Sequence, residues 1–321
     1  MLTRRFLLAA LPAALAAPAR AASGSFAGFI GGVEAEARRA GISEAVLSQA
    51  LGGLQPNPKV LELDRRQPEF TMTWDRYRAT RLSDQRVAQG RSHWQQNRSL
   101  LERVQAAYGV GPGVIMGIWG LESNYGGYTG GFNVVEALAT LAWDGRRASF
   151  FRPELITALK ILNAGDIAFP RMLGSYAGAM GQPQFMPTSF LRYAVDFEGS
   201  GRRDIWDNTA DVLASIANYL AKSGWRPGEP WGERVVLPDG FDPNQAGREN
   251  RRSVAEWSRL GVRRADGMAL PARPGAAAVI LPDGAGGEAF LAYGNFSAIR
   301  RYNPSDFYAL AVGMLGDLVT A

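Results

Sequence analysis

Hydrophobic residues recur at helical spacing through the first third of the chain. One amphipathic stretch contains Phe26, Ile30 and Val33, and a second covers residues 87–108. In the second stretch, apolar and aromatic residues are separated by seven, seven, three and four positions. Residues with this spacing lie on one face of an α-helix. The pattern predicts an N-terminal helical region over residues 23–110.

The centre of the chain, residues 111–225, is glycine-rich and irregular between its helices, two of which have clear patterns. The first pattern is apolar over residues 111–122, with Pro112 in its first turn and the pair Gly126-Gly127 as its stop. The second begins after Thr209 and ends at Gly224. Proline is common in a first helical turn and glycine just after a last one.

The pattern changes to that of strands after Trp231. Residues 234–237 predict one strand, and residues 277–281 and 288–293 predict a hairpin around a Gly-rich turn. A helix over 305–319 closes the chain. The predicted fold class is therefore α+β, mostly helical, with a small β-containing lobe within residues 226–321.

The first 22 residues are typical of an export signal rather than of a folded domain. Arg4 and Arg5 precede an apolar stretch over 6–17, and Ala19-Arg20-Ala21 matches a cleavage site. The arginine pair also fits a twin-arginine signal, so the export route stays open. The apolar stretch is too short to span a membrane, and no later segment is long enough. We expect a periplasmic protein without a membrane anchor.

Composition removes several classes of chemistry. The 321-residue chain has no cysteine and one histidine, His93, which excludes thiol nucleophiles, disulfides and multi-histidine metal sites. No Gly-x-Ser-x-Gly motif is present. The net charge is +5, but the arginines are scattered singly or in pairs, so we expect no nucleic-acid partner. Carboxylates, hydroxyls and amides remain for catalysis.

Glu122 is the strongest candidate among these carboxylates. At helical spacing it extends the apolar stripe of Val114 and Ile118. A carboxylate in apolar surroundings finds a partner or has its pKa raised, and a protonated Glu near neutral pH is a general acid. The alternative is a helix-end glutamate that points to solvent.

Four segments combine glycine, aromatic residues and amides in a way that suits a sugar ligand. Glycine lets a backbone approach a ligand closely. Aromatic rings match the apolar faces of sugars, and amides match their hydroxyls. Each segment taken alone also fits a turn or a core. The segments are residues 122–127, 174–187, 216–219 and 301–304.

Together these segments resemble a known family, the membrane-bound lytic transglycosylase B family, in a soluble form. The resemblance covers roughly residues 74–308 and follows several motifs in order. They are Trp74-Asp-Arg-Tyr77, Gly117-Ile-Trp-Gly-Leu-Glu-Ser-Asn-Tyr-Gly126, Ala137-Leu-Ala-Thr-Leu141, residues 174–189, Tyr193-Ala-Val-Asp-Phe197, Asp204-Ile-Trp206, Ala217-Asn-Tyr219 and Arg301-Tyr-Asn303.

The resemblance implies a lysozyme-like catalytic core over residues 111–225, completed by the C-terminal lobe, and a peptidoglycan substrate. It implies that Glu122 works alone, first as acid and then as base, and leaves a 1,6-anhydromuramyl end. It also implies a set of glycan-binding residues. They are Tyr77, Ser175, Gln184, Tyr219, Tyr302 and Asn303.

Two other functions stay open. A lysozyme-type muramidase would use a second carboxylate, for which Glu136 and Asp144 are candidates, although the end of a helix over 136–142 explains both more simply. A non-catalytic peptidoglycan-binding protein would need no acid.

One loop is spaced like a calcium site. Acids or oxygen donors occupy its positions 1, 3, 5, 9 and 12, with glycine at position 6. Some members of the family bind calcium here. Ser200 stands where aspartate is usual, however, and Arg202-Arg203 add two cations, so a polar turn before a helix is the simpler reading. We expect no cofactor, with calcium as the option. The candidate ligands are Asp196, Glu198, Ser200, Asp204 and Asp207.

Overall fold

The computed structural model describes residues 24–65 and 72–321, so the predicted export signal over 1–22 lies outside the described residues. The α-helices in these ranges are α1 Phe26–Arg39, α2 Glu44–Leu51, α3 Pro58–Arg65, α4 Trp74–Arg81, α5 Asp84–Tyr108, α6 Pro112–Ser123, α7 Val134–Asp144, α8 Ala148–Ala164, α9 Pro187–Tyr193, α10 Thr209–Lys222, α11 Val254–Arg259, α12 Gly294–Tyr302 and α13 Asp306–Thr320. The strands are β1 Phe132–Asn133, β2 Leu173–Gly174, β3 Gly232–Val236, β4 Arg252–Ser253, β5 Arg263–Arg264, β6 Ala276–Ile280 and β7 Ala289–Ala292.

The long helical patterns fold as predicted. The second amphipathic stretch is the single helix α5, which Ser83 caps at its start and a left-handed Gly109 ends. The central apolar pattern is α6, with Pro112 as its first residue. The structure adds α8 at 148–164, a helix that no sequence pattern specifically predicted, and it packs against α7. Residues 154–159 of α8 are all buried, so the helix lies inside the core and has no single apolar face that a periodic pattern would reveal.

The C-terminal lobe contains an antiparallel sheet of strand order β4-β6-β7-β3-β5. The predicted hairpin is β6 and β7, and the predicted first strand is β3. The two edge strands are only two residues long, so they leave no alternating pattern to read. Trp257 of α11 is buried against the sheet and donates a hydrogen bond from Nε1 to Ala277 O at 2.9 Å.

The buried hydrophobic side chains of the described residues form three cores. One lies between α4, α5, α6, α10, α13 and one face of the sheet; another joins α1, α2 and α3 to α7 and α8; a small third core lies under α11. The prediction of a mostly helical α+β fold is confirmed. Packing crosses residues 110 and 225 freely, and the predicted domain boundaries there stay a prediction.

The axes of α6 and α13 approach each other closely because glycine lines the contact. A Cβ added to Gly117 would lie 2.1 Å from Val312 O, and one added to Gly316 would lie 2.3 Å from Gly113 O. No side chain larger than hydrogen fits at either position without moving a helix. This contact brings the first turn of α13 beside the last turn of α6.

Within the described ranges, no single helix is long and apolar enough to span a membrane; α5 and α6 pass that test only together, and they meet at a bend of 112°.

Candidate active site

Glu122 is the second-last residue of α6, and the chain turns sharply just after it. Asn124, Tyr125 and Gly126 have consecutive positive φ angles of 51°, 58° and 84°. The left-handed region costs energy for any residue except glycine, and most of all for a bulky one such as tyrosine. The expected stop at Gly126-Gly127 was late, since α6 ends at Ser123 with Asn124 as its left-handed cap.

Aromatic packing holds this strained turn in place. The Tyr125 ring is 4% exposed, stacks on His93 at 5.4 Å and meets Trp119 edge-on at 5.5 Å. The Ser123 hydroxyl accepts a hydrogen bond from Gly126 N at 3.0 Å. The carboxyl-bearing end of α6 is therefore fixed by the core on one side and by the turn on the other.

Tyr308, the third residue of α13, is a hydrogen-bond partner of Glu122. Its hydroxyl donates to Glu122 Oε1 at 2.6 Å. Burial and the charge of Glu122 raise the pKa of Tyr308 well above its ordinary value, so the hydroxyl stays protonated and remains a donor. No sequence motif pointed to Tyr308 as a site residue. The only signal was its place in the first turn of a helix that follows the Tyr302-Asn303 motif.

Two more predicted tyrosines lie beside this pair. The Tyr302 ring is 6.5 Å from that of Tyr308 and nearly parallel to it, and 4.5 Å from that of Tyr219. Tyr302 donates its hydroxyl to Pro183 O at 2.5 Å, and Tyr219 donates to Arg301 O at 2.5 Å. Burial and the Glu122 charge raise the pKa of Tyr302, and burial raises that of Tyr219 to about 12. The site thus has a wall of tyrosines whose hydroxyls are held.

The loop 174–187 reaches the site through two glutamines with different tasks. Gln182 is buried; its Oε1 accepts from Trp119 Nε1 at 2.8 Å, and its Nε2 donates to Trp206 O at 2.8 Å. Gln184, the predicted glycan contact, has a positive φ of 50° and donates from Nε2 to Thr129 O at 3.0 Å. Gln182 therefore ties the loop to α6, which the sequence did not indicate.

Ser175 lies at the start of the same loop. Its Oγ accepts a hydrogen bond from Ala179 N at 3.1 Å, which closes a tight turn through Gly178. The hydroxyl hydrogen is given to no described residue, so the group keeps a donor for a ligand.

Among the predicted site residues, Tyr77 and Asn303 make contacts that are typical of a structural role. Tyr77 is 7% exposed and packs on Trp74 and Phe307 at ring distances of 6.3 and 5.7 Å. Asn303 Oδ1 accepts from Ser305 N at 3.1 Å in the turn that leads into α13. Their direct contact with glycan stays a prediction.

The two other candidate carboxylates are engaged away from Glu122. Glu136 Oε1 accepts from Asn57 Nδ2 at 2.5 Å near the start of α7. Asp144 forms an ion pair with Arg65 at 3.1 Å at the end of the same helix. The structural role expected for each is the one observed.

The calcium-like loop has its oxygen atoms committed to internal partners. Both Asp196 oxygens accept loop amides, from Ser200 N at 2.8 Å and Gly201 N at 2.7 Å. Asp204 Oδ1 accepts two amides and its Oδ2 accepts from Arg202 at 3.1 Å. Ion pairs hold the remaining two acids, Asp207 to Arg171 and Glu198 to Arg103. No group of three or more acidic or imidazole side chains converges as metal ligands among the described residues, and calcium binding by this loop stays a prediction.

Comparison with known proteins gives a consistent result. Over residues 25–317 the chain matches the family described as the transglycosylase SLT domain. It is 35% identical over 252 residues to membrane-bound lytic murein transglycosylase B of Escherichia coli (strain K12), which covers 77% of this chain and 67% of that protein.

Two solved structures place the fold. SltB3 from Pseudomonas aeruginosa, in complex with NAG-anhNAM-pentapeptide, matches with a TM-score of 0.90 and 45% identity over 92% of this chain and 80% of that one. The Escherichia coli lytic transglycosylase Slt35, in complex with calcium, matches with a TM-score of 0.77 and 32% identity over 92% of each chain. The lysozyme-like fold expected from the sequence is confirmed. The chain belongs to the transglycosylase SLT domain family.

Proposed function

We propose that this protein is a peptidoglycan lytic transglycosylase that cleaves the β-1,4 bond between N-acetylmuramic acid and N-acetylglucosamine, with Glu122 as both acid and base. The observation that carries the proposal is the contact between Glu122 and Tyr308 inside a wall of tyrosines. The names of the relatives, and the anhydro-sugar ligand of SltB3, support the same reaction class.

The first step needs a proton on the leaving oxygen. Protonated Glu122 gives its proton to the glycosidic oxygen, and the bond from the muramyl anomeric carbon to that oxygen breaks. The N-acetylglucosamine side leaves with a free hydroxyl. The muramyl ring is left with oxocarbenium character, which the carboxylate charge stabilises.

The second step returns the proton. The Glu122 carboxylate takes the hydrogen of the muramyl 6-hydroxyl, whose oxygen attacks the anomeric carbon and closes the 1,6-anhydro ring. No water is consumed, and Glu122 ends protonated as it began. One carboxylate is enough for this cycle, whereas a hydrolase of the usual kind needs two. The engagement of Glu136 and Asp144 elsewhere favours the single-acid cycle.

Tyr308 fits this cycle as the group that holds the carboxylate. A hydroxyl donating to Oε1 fixes the orientation of the carboxyl group that exchanges the proton with substrate. A hydrogen bond to the ionised form also stabilises the carboxylate after it has given up its proton.

The tyrosine wall and the glutamine loop supply the glycan-binding surface. Aromatic rings suit the apolar faces of sugar rings, and Ser175 and Gln184 bring polar groups for the N-acetyl and hydroxyl substituents. Their contacts with glycan are part of the proposal. We also place the protein in the periplasm, on the basis of the export pattern in residues 1–22 and the cell-wall substrate.

Product analysis tests the reaction. Purified sacculi digested by the wild-type protein should yield muropeptides with the mass of a 1,6-anhydro end, which is one water lighter than a reducing end. Products with reducing ends only would identify a muramidase instead. Glu122→Gln should release product at least about a hundredfold more slowly, in line with the loss of an acid–base group.

The binding-protein alternative makes the opposite prediction. If wild type and Glu122→Gln both bind sacculi and neither releases soluble fragments, the protein is non-catalytic. A Glu122→Gln variant that kept full activity would instead remove Glu122 from the mechanism.

A further inference from the structure

A cavity of about 310 Å³ opens beside the tyrosine wall, between the end of α10 and the start of α12. Its lining combines three guanidinium groups with small residues. They are Arg226, Arg251 and Arg301 with Gly224, Ala276 and Ser297. No function assigned above uses this cavity.

The cavity adjoins the proposed glycan surface through α12. Gly294, Ser297 and Arg301 are three and four residues apart, so one face of that helix forms a wall of the cavity. The next residue, Tyr302, is on the adjacent face and packs on Tyr219 at 4.5 Å. A ligand on the tyrosine wall therefore has the cavity as its neighbour.

Two of the three arginines donate hydrogen bonds to backbone carbonyls, which leave the guanidinium charge in place. Arg301 donates to Ser223 O, and Arg251 donates to Ala276 O; both acceptors are backbone carbonyls. Neither guanidinium pairs with a carboxylate of the described residues, unlike Arg203, which pairs with Asp166 at 2.6 Å. Each has further N–H groups to donate, because a guanidinium carries five.

The third arginine is already paired. Arg226 lies 3.4 Å from Glu229 Oε2, and Glu229 Oε1 accepts from Gly294 N at 3.0 Å. Glu229 is thus the carboxylate that offsets one of the three charges. Two guanidinium charges therefore face the cavity without a matching anion among the described residues, at a place where small residues leave room for a ligand.

We propose that this cavity binds a carboxylate of the stem peptide attached to the muramic acid in the cleft. The assignment rests on the proposed function, because it is the peptidoglycan substrate that brings a peptide with free carboxylates to this side of the tyrosine wall. Guanidinium groups recognise carboxylates through paired hydrogen bonds. The complex of SltB3 with a pentapeptide-bearing sugar shows that a relative accepts a ligand of this class.

Calorimetric binding to the wild-type protein at low salt tests this with three probes. They are NAG-NAM-pentapeptide, NAG-NAM without peptide, and the pentapeptide ligand with its carboxylates amidated. We expect the first probe to bind at least about tenfold more tightly than the other two, since two charge-assisted contacts are lost in each of those. Equal affinity for all three overturns the proposal.

Variants locate the effect. Arg251→Gln, which lies outside the segments assigned to glycan binding, should weaken the preference for the peptide-bearing probe and leave peptide-free binding unchanged. Adding Arg301→Gln should abolish the preference, whereas Arg259→Gln, an exposed arginine outside the cavity, should preserve it. A double Arg→Lys variant keeps both charges and should retain part of the preference. A folded double Gln variant that still binds the peptide-bearing probe with the full wild-type preference would overturn the proposal.

Inorganic phosphate distinguishes a second source of the same chemistry. If phosphate binds the cavity while the peptide adds nothing to affinity, the site takes phosphate and the stem-peptide assignment is overturned. The binding comparison needs no turnover, so a wild type that releases no anhydro product would refute the proposed reaction independently of these results.

Discussion

Tyr308 donates a hydrogen bond of 2.6 Å to Glu122 across the contact between α13 and α6. We expect Tyr308→Phe to lower kcat by about ten- to a hundredfold with KM within about twofold, because the ring stays and a hydrogen bond to a charged group is lost. Tyr108→Phe, at the end of α5, serves as the control and should leave both unchanged. A Tyr308→Phe enzyme with wild-type kcat would show that the contact is incidental.

The same helix contact can be disturbed from α6. Gly117→Ala places a methyl group 2.1 Å from Val312 O and should force α13 away, with a loss of about 1–3 kcal/mol in the free energy of unfolding and a fall in kcat. Gly113→Ala, one turn earlier, meets nothing closer than 3.4 Å and is the matched control. Urea unfolding and product release measure the two effects; equal behaviour of both variants would contradict the argument.

We expect substitution of Gln182 to affect mainly the stability of the fold, and substitution of Gln184 to affect mainly glycan binding. Gln182→Ala leaves Trp119 Nε1 and Trp206 O buried without partners, and we expect about 2–4 kcal/mol less free energy of unfolding. Gln184→Ala should cost less stability and raise KM for glycan instead. Denaturant titration and substrate kinetics of both variants test this. A large loss of stability in Gln184→Ala together with a raised KM in Gln182→Ala would reverse the two roles.

His93 gives a clean pH test because it is the only histidine. Burial lowers its pKa below the ordinary value of about 6.5. The folded state therefore favours the neutral ring, so its contribution to stability is complete above the unfolded pKa and is lost as pH falls through the folded pKa.

Two measurements check this. The imidazole NMR titration should give a pKa below about 6.5. Unfolding at about pH 7 and pH 5 should show a smaller pH dependence in His93→Gln than in wild type. An imidazole that titrates above the ordinary value contradicts the burial argument.

The calcium-like loop should be indifferent to calcium. Arg171 and Arg202 already pair with Asp207 and Asp204, and the donors do not converge, so millimolar calcium and excess chelator should give the same Tm. Arg171→Ala with Arg202→Ala removes both ion pairs, and a Tm that depends on calcium in this variant alone would show that the arginines are what keep the ion out. A rise in the wild-type Tm with calcium would disprove the poor fit.

The sequence revealed those features that depend on neighbours along the chain. Helix α6, with Pro112 at its start and Glu122 near its end, follows from a local apolar pattern. The acids of the calcium-like loop were equally visible. The arginine that pairs with Asp207, however, is Arg171, which lies outside the loop, and no local sequence pattern predicts this ion pair.

The features that the sequence did not predict depend on contacts between residues far apart in the chain. Tyr308 gains its role only because α13 packs on α6, and glycine at 117 permits that approach. Gln182 and Gln184 stand two residues apart in one motif. Only the indole of Trp119 distinguishes the buried one from the other.

The position of α13 near the end of this sequence also determines when, during synthesis, the contact between Tyr308 and Glu122 can form. The hydroxyl that holds Glu122 is synthesised 186 residues after the carboxylate itself. A ribosome-bound or partly translocated chain that has made α6 but not α13 has the acid without the group that orients it. An enzyme proposed to cut the cell wall would thus acquire its cutting geometry only once this helix has been made and has docked, so order of synthesis itself delays activity.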